Sequence, residues 1–171
     1  MNVVIRRAEP RDVPRMLELV RELATFEKEP EAVTVKEDAM RDAGFGEQPV
    51  WWGWVAEKRS DDRMIGTPDD QNARLLGMAV CYERYSTWRG RVGYLEDIVV
   101  TEAARGQRVG EKLFRACVED ALERGYHHLT WQVLDWNEDA MRFYARLGAE
   151  FDPHWVNGRM TRDTMKKLIE A

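Results

Sequence analysis

The chain has 171 residues, 44% hydrophobic and 33% charged, with a formal net charge of −5. This balance suits one domain with a single core spanning residues 1–171, and it argues against a nucleic-acid partner, which needs clustered Lys and Arg. It suits a cationic partner, although the same charge also serves plain solubility.

The start, Met1-Asn2-Val3-Val4-Ile5-Arg6-Arg7, lacks a basic leader followed by an apolar run, so no signal peptide is expected. Residues 3–6 read as a first strand. Asp12 is placed to cap the following helix, with Pro14 in its first turn and an apolar face of Met16, Leu17, Leu19, Val20 and Leu23. Residues 34–43 read as a second helix, closed by Gly44-Phe45-Gly46. Residues 50–57 are rich in Trp and read as a strand, residues 58–72 as a polar exposed connection, and residues 74–85 and 92–100 as two more strands of an antiparallel meander.

A long helix is expected over 111–124, with Leu113, Phe114, Cys117, Val118, Ala121 and Leu122 at helical spacing and Gly125 ending it. A strand over 128–134, a short helix over 140–146 stopped by Gly148, and a last strand over 159–165 complete the reading. Cys81 and Cys117 lie far apart in apolar stretches and read as buried free thiols, in keeping with a reducing cytoplasm. His127 and His128 adjoin and would point to opposite faces of a strand, so no metal site is expected. No apolar run approaches the length of a bilayer span, so no membrane partner is expected. The order is β-α-α-β-β-β-α-β-α-β, a mixed sheet with helices on its faces.

The most informative unit runs from 92 to 124. A strand feeds Arg105-Gly106-Gln107-Arg108-Val109-Gly110, which opens a long helix. Unpaired N–H groups, the positive end of the helix dipole and two glycines together suit a phosphate, although a plain strand-to-helix turn would use the same glycines. The loop has neither the Gly-Lys-Ser/Thr ending of a nucleotide-triphosphate loop nor the G-x-G-x-x-G of a dinucleotide fold.

That loop, following Ile98-Val99-Val100, resembles the R-G-x-G-x-G/A acetyl-CoA loop of the GNAT superfamily of N-acetyltransferases. Asp135-Trp136-Asn137-Glu138 and Phe143-Tyr144 are similar to its later motif. Glu22-Leu23-Ala24 with Phe26-Glu27, Gly44-Phe45-Gly46-Glu47 and Tyr94-Leu95-Glu96-Asp97 resemble its spermidine/spermine and thialysine acetyltransferase branch. The resemblance implies an α/β (α+β) fold, a mixed and mostly antiparallel sheet flanked by helices, with two central parallel strands splayed at the cofactor site. It implies a cytoplasmic homodimer that transfers acetyl from acetyl-CoA to a primary amine of a small cationic substrate, by direct transfer in a ternary complex and without metal.

The resemblance also assigns roles. Arg105, Gly106, Gln107, Arg108, Val109, Gly110 and Glu111 would hold the pyrophosphate, and the backbone of Ile98, Val99 and Val100 would pair with the pantetheine arm. Asn137 and Arg146 would contact the cofactor, although an Asn there also suits a helix cap and an exposed Arg an ion pair. Glu96 would be the base toward the amine, directly or through water, and Tyr144 the acid toward the departing thiolate. By strand alternation Glu96 shares a face with Tyr94 and Ile98, opposite Asp97. Phe143 reads as the core aromatic beside Tyr144. Phe26, Glu27, Trp88, Glu96 and Asp97 would face the amine, where carboxylates and aromatic faces suit an ammonium ion.

Two departures bear on the acceptor and one on the cofactor. Ser86 and Val156 stand where the branch has acidic residues, which favours a diamine-like or lysine-like acceptor over spermine. Arg108 replaces the second loop glycine, and is accommodated if its φ is negative and its side chain points to solvent. The alternatives are an N-acetyltransferase acting on a protein or antibiotic amine, and a non-catalytic acyl-CoA-binding sensor. The seven Trp residues supply aromatic surface for a dimer interface or for the core.

Overall fold

Among the described residues, the apolar, aromatic stretches up to Thr130 pair into one five-stranded sheet in the order β1-β2-β3-β4-β5. Its strands are β1 (Val3–Arg7), β2 (Trp52–Lys58), β3 (Leu75–Ser86), β4 (Gly90–Val100) and β5 (Leu129–Thr130). The first four run antiparallel, and β5, the outer strand, pairs parallel with β4. The computed structural model describes residues 2–59 and 75–170. Most of the polar connection expected over 58–72 therefore lies outside the described residues; Lys58 itself closes β2.

Among the described residues the helices are α1 (Val13–Phe26), α2 (Glu37–Phe45), α3 (Val109–Glu123), α4 (Glu138–Arg146) and α5 (Arg162–Glu170). The chain divides after Gln132 into two compact units, the first holding the sheet with α1, α2 and α3, the second holding α4 and α5. No described helix is long and apolar enough to cross a membrane.

Residues directly opposite in a sheet share a face. Met78 pairs with Val99 and Val80 with Asp97, so Met78, Val80, Val99 and Asp97 point one way. On that face Val13, Met16, Leu17 and Leu19 of α1 and Met40 of α2 join Val55, Met78, Val80 and Val99 in a buried cluster. Each such side chain removed from water contributes roughly 1.5–3 kcal/mol. On the other face α3 packs through Leu113 and Cys117. A Cβ on Gly77 would lie 2.6 Å from the Val99 carbonyl oxygen and 3.3 Å from Leu113 Cδ1, so glycine there lets β4 and α3 approach closely. Cys81 and Cys117 are both buried free thiols, as expected. A hydrogen bond to Cys81, together with burial, pushes the Cys117 thiol far above its ordinary range.

Several boundaries differ from the sequence reading for local reasons. Asp12 stands at the start of α1 but its side chain does not cap it. The carboxylate is buried and turns back, accepting from Arg6 Nη1 and Nη2 at 2.7 and 2.9 Å and from the Glu9 N–H at 2.8 Å. The second helix begins at Glu37, where Glu37 and Asp38 fill a first turn that favours acids. The strand expected over 128–134 shrinks to Leu129–Thr130, because only Gly93 and Tyr94 of β4 pair with it. The last expected strand is a helix, α5. Thr161 Oγ1 accepts from the Thr164 N–H at 3.2 Å, and Met165, Leu168 and Ile169 then recur at helical spacing.

Candidate active site

The site is set by an irregularity in β4. Val80 faces Asp97 while the next residue, Cys81, faces Leu95. One step on β3 therefore spans two on β4, and Glu96 is the extra residue of a β-bulge. Before the bulge Val92 and Tyr94 share the α1 face; after it Asp97 and Val99 do. The expectation that Glu96 opposes Asp97 is thereby corrected, because an extra residue resets the alternation on which it rested. Glu96 keeps company with Tyr94, Asp97 joins that face, and Ile98 turns to the α3 side.

Three carboxylates gather there. Asp97 is pushed up to about 6, first by burial, then by the charges of Glu96 and Glu27. Burial also raises Glu27, which follows the last residue of α1. Tyr82 and Tyr94, opposite one another on β3 and β4, stack with ring centroids 4.9 Å apart and planes tilted by 32°. Burial and the Glu96 charge raise Tyr82, and burial, Tyr82 and Glu96 raise Tyr94; Arg84 opposes both shifts. Such a face, acidic at one end and lined by aromatic rings, attracts an ammonium ion and can take its proton.

The glycine loop joins the end of β4 to α3. Gly106 has φ +74, a conformation that glycine adopts without penalty, and a Cβ there would meet nothing within 4 Å. Arg108 is the residue preceding α3 and has φ +60, so the condition of a negative φ is not met. A non-glycine residue held there carries backbone strain, and its side chain is exposed. Val109 is buried and anchors the helix start, Gly110 lies within α3, and Glu111 pairs with Arg115 at 3.0 Å. Gln107 Nε2 donates to the Ala103 carbonyl at 3.3 Å. Arg105 Nε donates to the Val100 carbonyl at 3.3 Å, and its guanidinium lies 5.6 Å from the centre of the Phe26 ring. That contact ties a residue expected on the amine side, Phe26, to the loop expected on the cofactor side.

Beyond Tyr94, β5 offers β4 no partner, so no β5 residue pairs with Ile98, Val99 or Val100. The exposed loop Arg105–Arg108, the start of α3 and this strand edge together suit an extended phosphorylated group. Trp88 does not join the carboxylates. It is 84% exposed on the turn between β3 and β4, where its N–H donates to Ser86 Oγ at 3.3 Å.

In the second unit Asn137 caps α4, its Oδ1 accepting from the Ala140 N–H at 3.2 Å. Tyr144 is the buried aromatic of that helix, packed edge-on against Phe143 with centroids 5.0 Å apart. Phe143 is only half-buried, so the reading of it as the core member of the pair is corrected. Arg146 is exposed in the last turn of α4, and Val156 is almost wholly exposed.

Sequence reasoning missed Tyr82 and Arg84. Both follow Val80 at intervals of two on β3, so alternation from one core residue would have found them. Among the described residues no group of three or more His, Cys, Asp or Glu is arranged to hold a metal.

Comparison with known proteins agrees with this geometry. Residues 14–149 match the acetyltransferase (GNAT) family. A thialysine N-epsilon-acetyltransferase of Bos taurus is 42% identical over 149 residues, 86% of this chain and 84% of that one. A spermidine/spermine N(1)-acetyltransferase-like protein 1 of Homo sapiens is 32% identical over 146 residues, 85% of this chain and 20% of that longer one. Among solved structures, an aminoglycoside acetyltransferase from an uncultured soil metagenomic sample, crystallised with trehalose, superposes with a TM-score of 0.71 at 17% identity, over 93% of this chain and 95% of that one. The fold is therefore shared well beyond the reach of sequence identity, and the family match takes in the bulged strand, the glycine loop and α4 together: the chain belongs to the acetyltransferase (GNAT) family and is an N-acetyltransferase.

Proposed function

We propose that the chain transfers acetyl from acetyl-CoA directly to a primary amine of a small cation, a diamine, polyamine or thialysine-like amine, within one ternary complex. The observation that carries this reading is the bulge at Glu96, which gathers Glu96, Asp97 and Glu27 on the face that also bears Tyr82 and Tyr94. The names of the relatives, which mention thialysine and spermidine/spermine, point the same way. Both units are read as one domain, because the family match runs across Gln132.

An alkyl amine has a pKa near ~10.4, so at pH 7 only about one molecule in a few thousand is neutral and nucleophilic. Glu96, exposed at the bulge, takes the amine proton directly or through a water. Asp97, Glu27 and Phe26 attract and orient the cation, whereas Trp88, on the exposed turn, lies away from them. Tyr144 holds the proton that the leaving thiolate needs; a thiol of pKa about 8.5 and a phenol near 10 are matched for that transfer.

When bound, acetyl-CoA supplies the activated acetyl thioester. Arg105, Gly106, Gln107, Arg108, Val109, Gly110 and Glu111 would hold its pyrophosphate with backbone N–H groups and two guanidinium charges. The open edge at Ile98, Val99 and Val100 would take its pantetheine arm, and Asn137 and Arg146 are proposed as further cofactor contacts. The working form is a cytoplasmic homodimer.

The test is an acetyl-CoA assay across putrescine, spermidine, spermine, thialysine and lysine, with Tyr144→Phe alongside. Turnover of a short amine above spermine, largely lost in Tyr144→Phe, is expected. A clear spermine preference would remove the short-acceptor reading, and undiminished turnover in Tyr144→Phe would remove Tyr144 as the acid.

A further inference from the structure

The face that carries the carboxylates does not end with them. Read across β3, β4 and β5, it forms three rows. The first holds Val80 with Asp97 and the bulged Glu96; the second holds Tyr82, Tyr94 and Thr130; the third holds Arg84 and Val92, followed by His128 two residues before Thr130. The rows run from acidic through aromatic to basic. A site with opposite charges at its two ends matches a molecule that is itself charged in both senses.

Arg84 is exposed, and among the described residues it forms no ion pair, although the adjacent Glu83 does. Its neighbour Glu83 points to the other face and is already engaged, accepting from Tyr126 Oη at 2.9 Å with Arg91 at 3.5 Å. The Arg84 charge is felt by both tyrosine hydroxyls. The His128 imidazole is held below its usual range by burial, then by Arg89, His127 and Arg84, so positive charge converges on this end. The end is not part of the phosphate loop. Arg84 pairs with Val92, eight residues before Val100, which puts it roughly 27 Å along β4 from the strand end where the loop begins.

The spacing suits a specific class of acceptor. Two strand pairs separate Arg84 from Val80, roughly 13 Å between α-carbons. A lysine-type molecule spans about 7–8 Å from its terminal nitrogen to its carboxylate carbon, and the reach of the Glu96 and Arg84 side chains covers the remainder.

We propose that Arg84 binds the α-carboxylate of the acceptor and makes the enzyme select an amino acid with a side-chain amine over the corresponding diamine. This rests on the amine-acetylating reading above. It names the feature that separates a thialysine-like acceptor from a polyamine: a guanidinium at that position pairs with a carboxylate and repels a second ammonium.

Lysine and cadaverine differ only in the carboxylate and so isolate the effect. In the wild-type enzyme lysine is expected to exceed cadaverine in kcat/KM by about tenfold or more, the worth of one charge-assisted hydrogen-bonded pair. Arg84→Gln should abolish that preference through binding, raising KM for lysine and lowering it for cadaverine while kcat for both stays within about twofold, and Arg84→Lys should restore part of it. An equal lysine-to-cadaverine ratio in wild type and Arg84→Gln, or a wild-type preference for cadaverine, would overturn the assignment. If no amine is acetylated, the transfer reading falls by itself, and calorimetric binding of the same two molecules to the same proteins decides the role of Arg84 by the same ratio.

Discussion

Glu96 and Asp97 are consecutive in a strand, yet both face α1, because Glu96 is the extra residue of a bulge. Two carboxylates held side by side cannot both ionise freely, and burial adds to the cost for Asp97. The pair is therefore split in role. Glu96 stays at the exposed edge of the site, and Asp97 holds a proton more tightly than an ordinary carboxylate.

Asp97→Asn tests that split through stability. The Asp97 pKa is raised to about 6 on folding, so the folded chain binds this proton more tightly than the unfolded one. Its contribution is fully present below the unfolded value of about 4 and is lost as pH rises through about 6. An asparagine mimics the protonated form at every pH. Urea titrations should show equal stability for the two proteins near pH 4, with the variant gaining about 1–3 kcal/mol by pH 7.5. A constant difference across that range would mean that Asp97 is not a strained acid.

Glu96→Gln should leave the fold intact, since the side chain is exposed. If Glu96 is the base, as proposed, kcat with a short amine is expected to fall by about 10²–10⁴, and the loss should shrink as pH rises and more of the amine is already neutral. Rates measured from pH 7 to 10 check both the size and the trend.

Arg108→Gly should stabilise the protein. Arg108 sits at φ +60 directly before α3, a conformation that costs a side-chain-bearing residue roughly 1–2 kcal/mol and glycine nothing, against the greater freedom glycine gives the unfolded chain. The net gain should be about 0.5–1 kcal/mol, read as a rise of a few degrees in Tm. Arg108→Ala keeps the strain and should show no gain. Titration of acetyl-CoA into Arg108→Gly then reads separately what the guanidinium adds to binding.

The meander, α1 and α3 were legible because period-two and helical spacings ran unbroken through residues such as Met16, Leu19, Leu113 and Cys117. The bulge was not, since nothing in Tyr94-Leu95-Glu96-Asp97 announces an extra residue; it appears only when β3 supplies the count. Arg108 illustrates a different limit. The motif pattern marked it as the odd residue, but its φ is fixed by how the loop must turn into α3. The segment 159–165 misled because its threonines and methionines suit a strand locally, while the cap at Thr161 and the spacing of Leu168 and Ile169 only tell when read further along.

Asp12→Ala probes the joint between β1 and α1. Arg6 is largely covered, and its guanidinium is shared between Asp12 at 2.7 Å and Glu57 at 2.6 Å. The Asp12 bond is the main reason the Arg6 proton is held above its usual range. Removing Asp12 leaves the Glu9 N–H and one side of Arg6 without acceptors, at a cost of about 2–4 kcal/mol. Asp12→Asn can still accept from the N–H and should lose less. Chemical denaturation of the two variants ranks them.

Asn137→Ala separates a structural role from a functional one. The observed bond, Asn137 Oδ1 from the Ala140 N–H at 3.2 Å, caps α4 and is worth about 1 kcal/mol to the helix. Asn137→Ser and Asn137→Asp cap equally well in ordinary helices but offer no amide N–H. If Asn137 only caps, Ser and Asp variants keep both stability and acetyl-CoA affinity, and Ala loses a little of each. If its amide also holds the cofactor, all three variants lose affinity while only Ala loses stability. Melting curves and acetyl-CoA titrations on the same three proteins divide the outcomes, and the second pattern is expected.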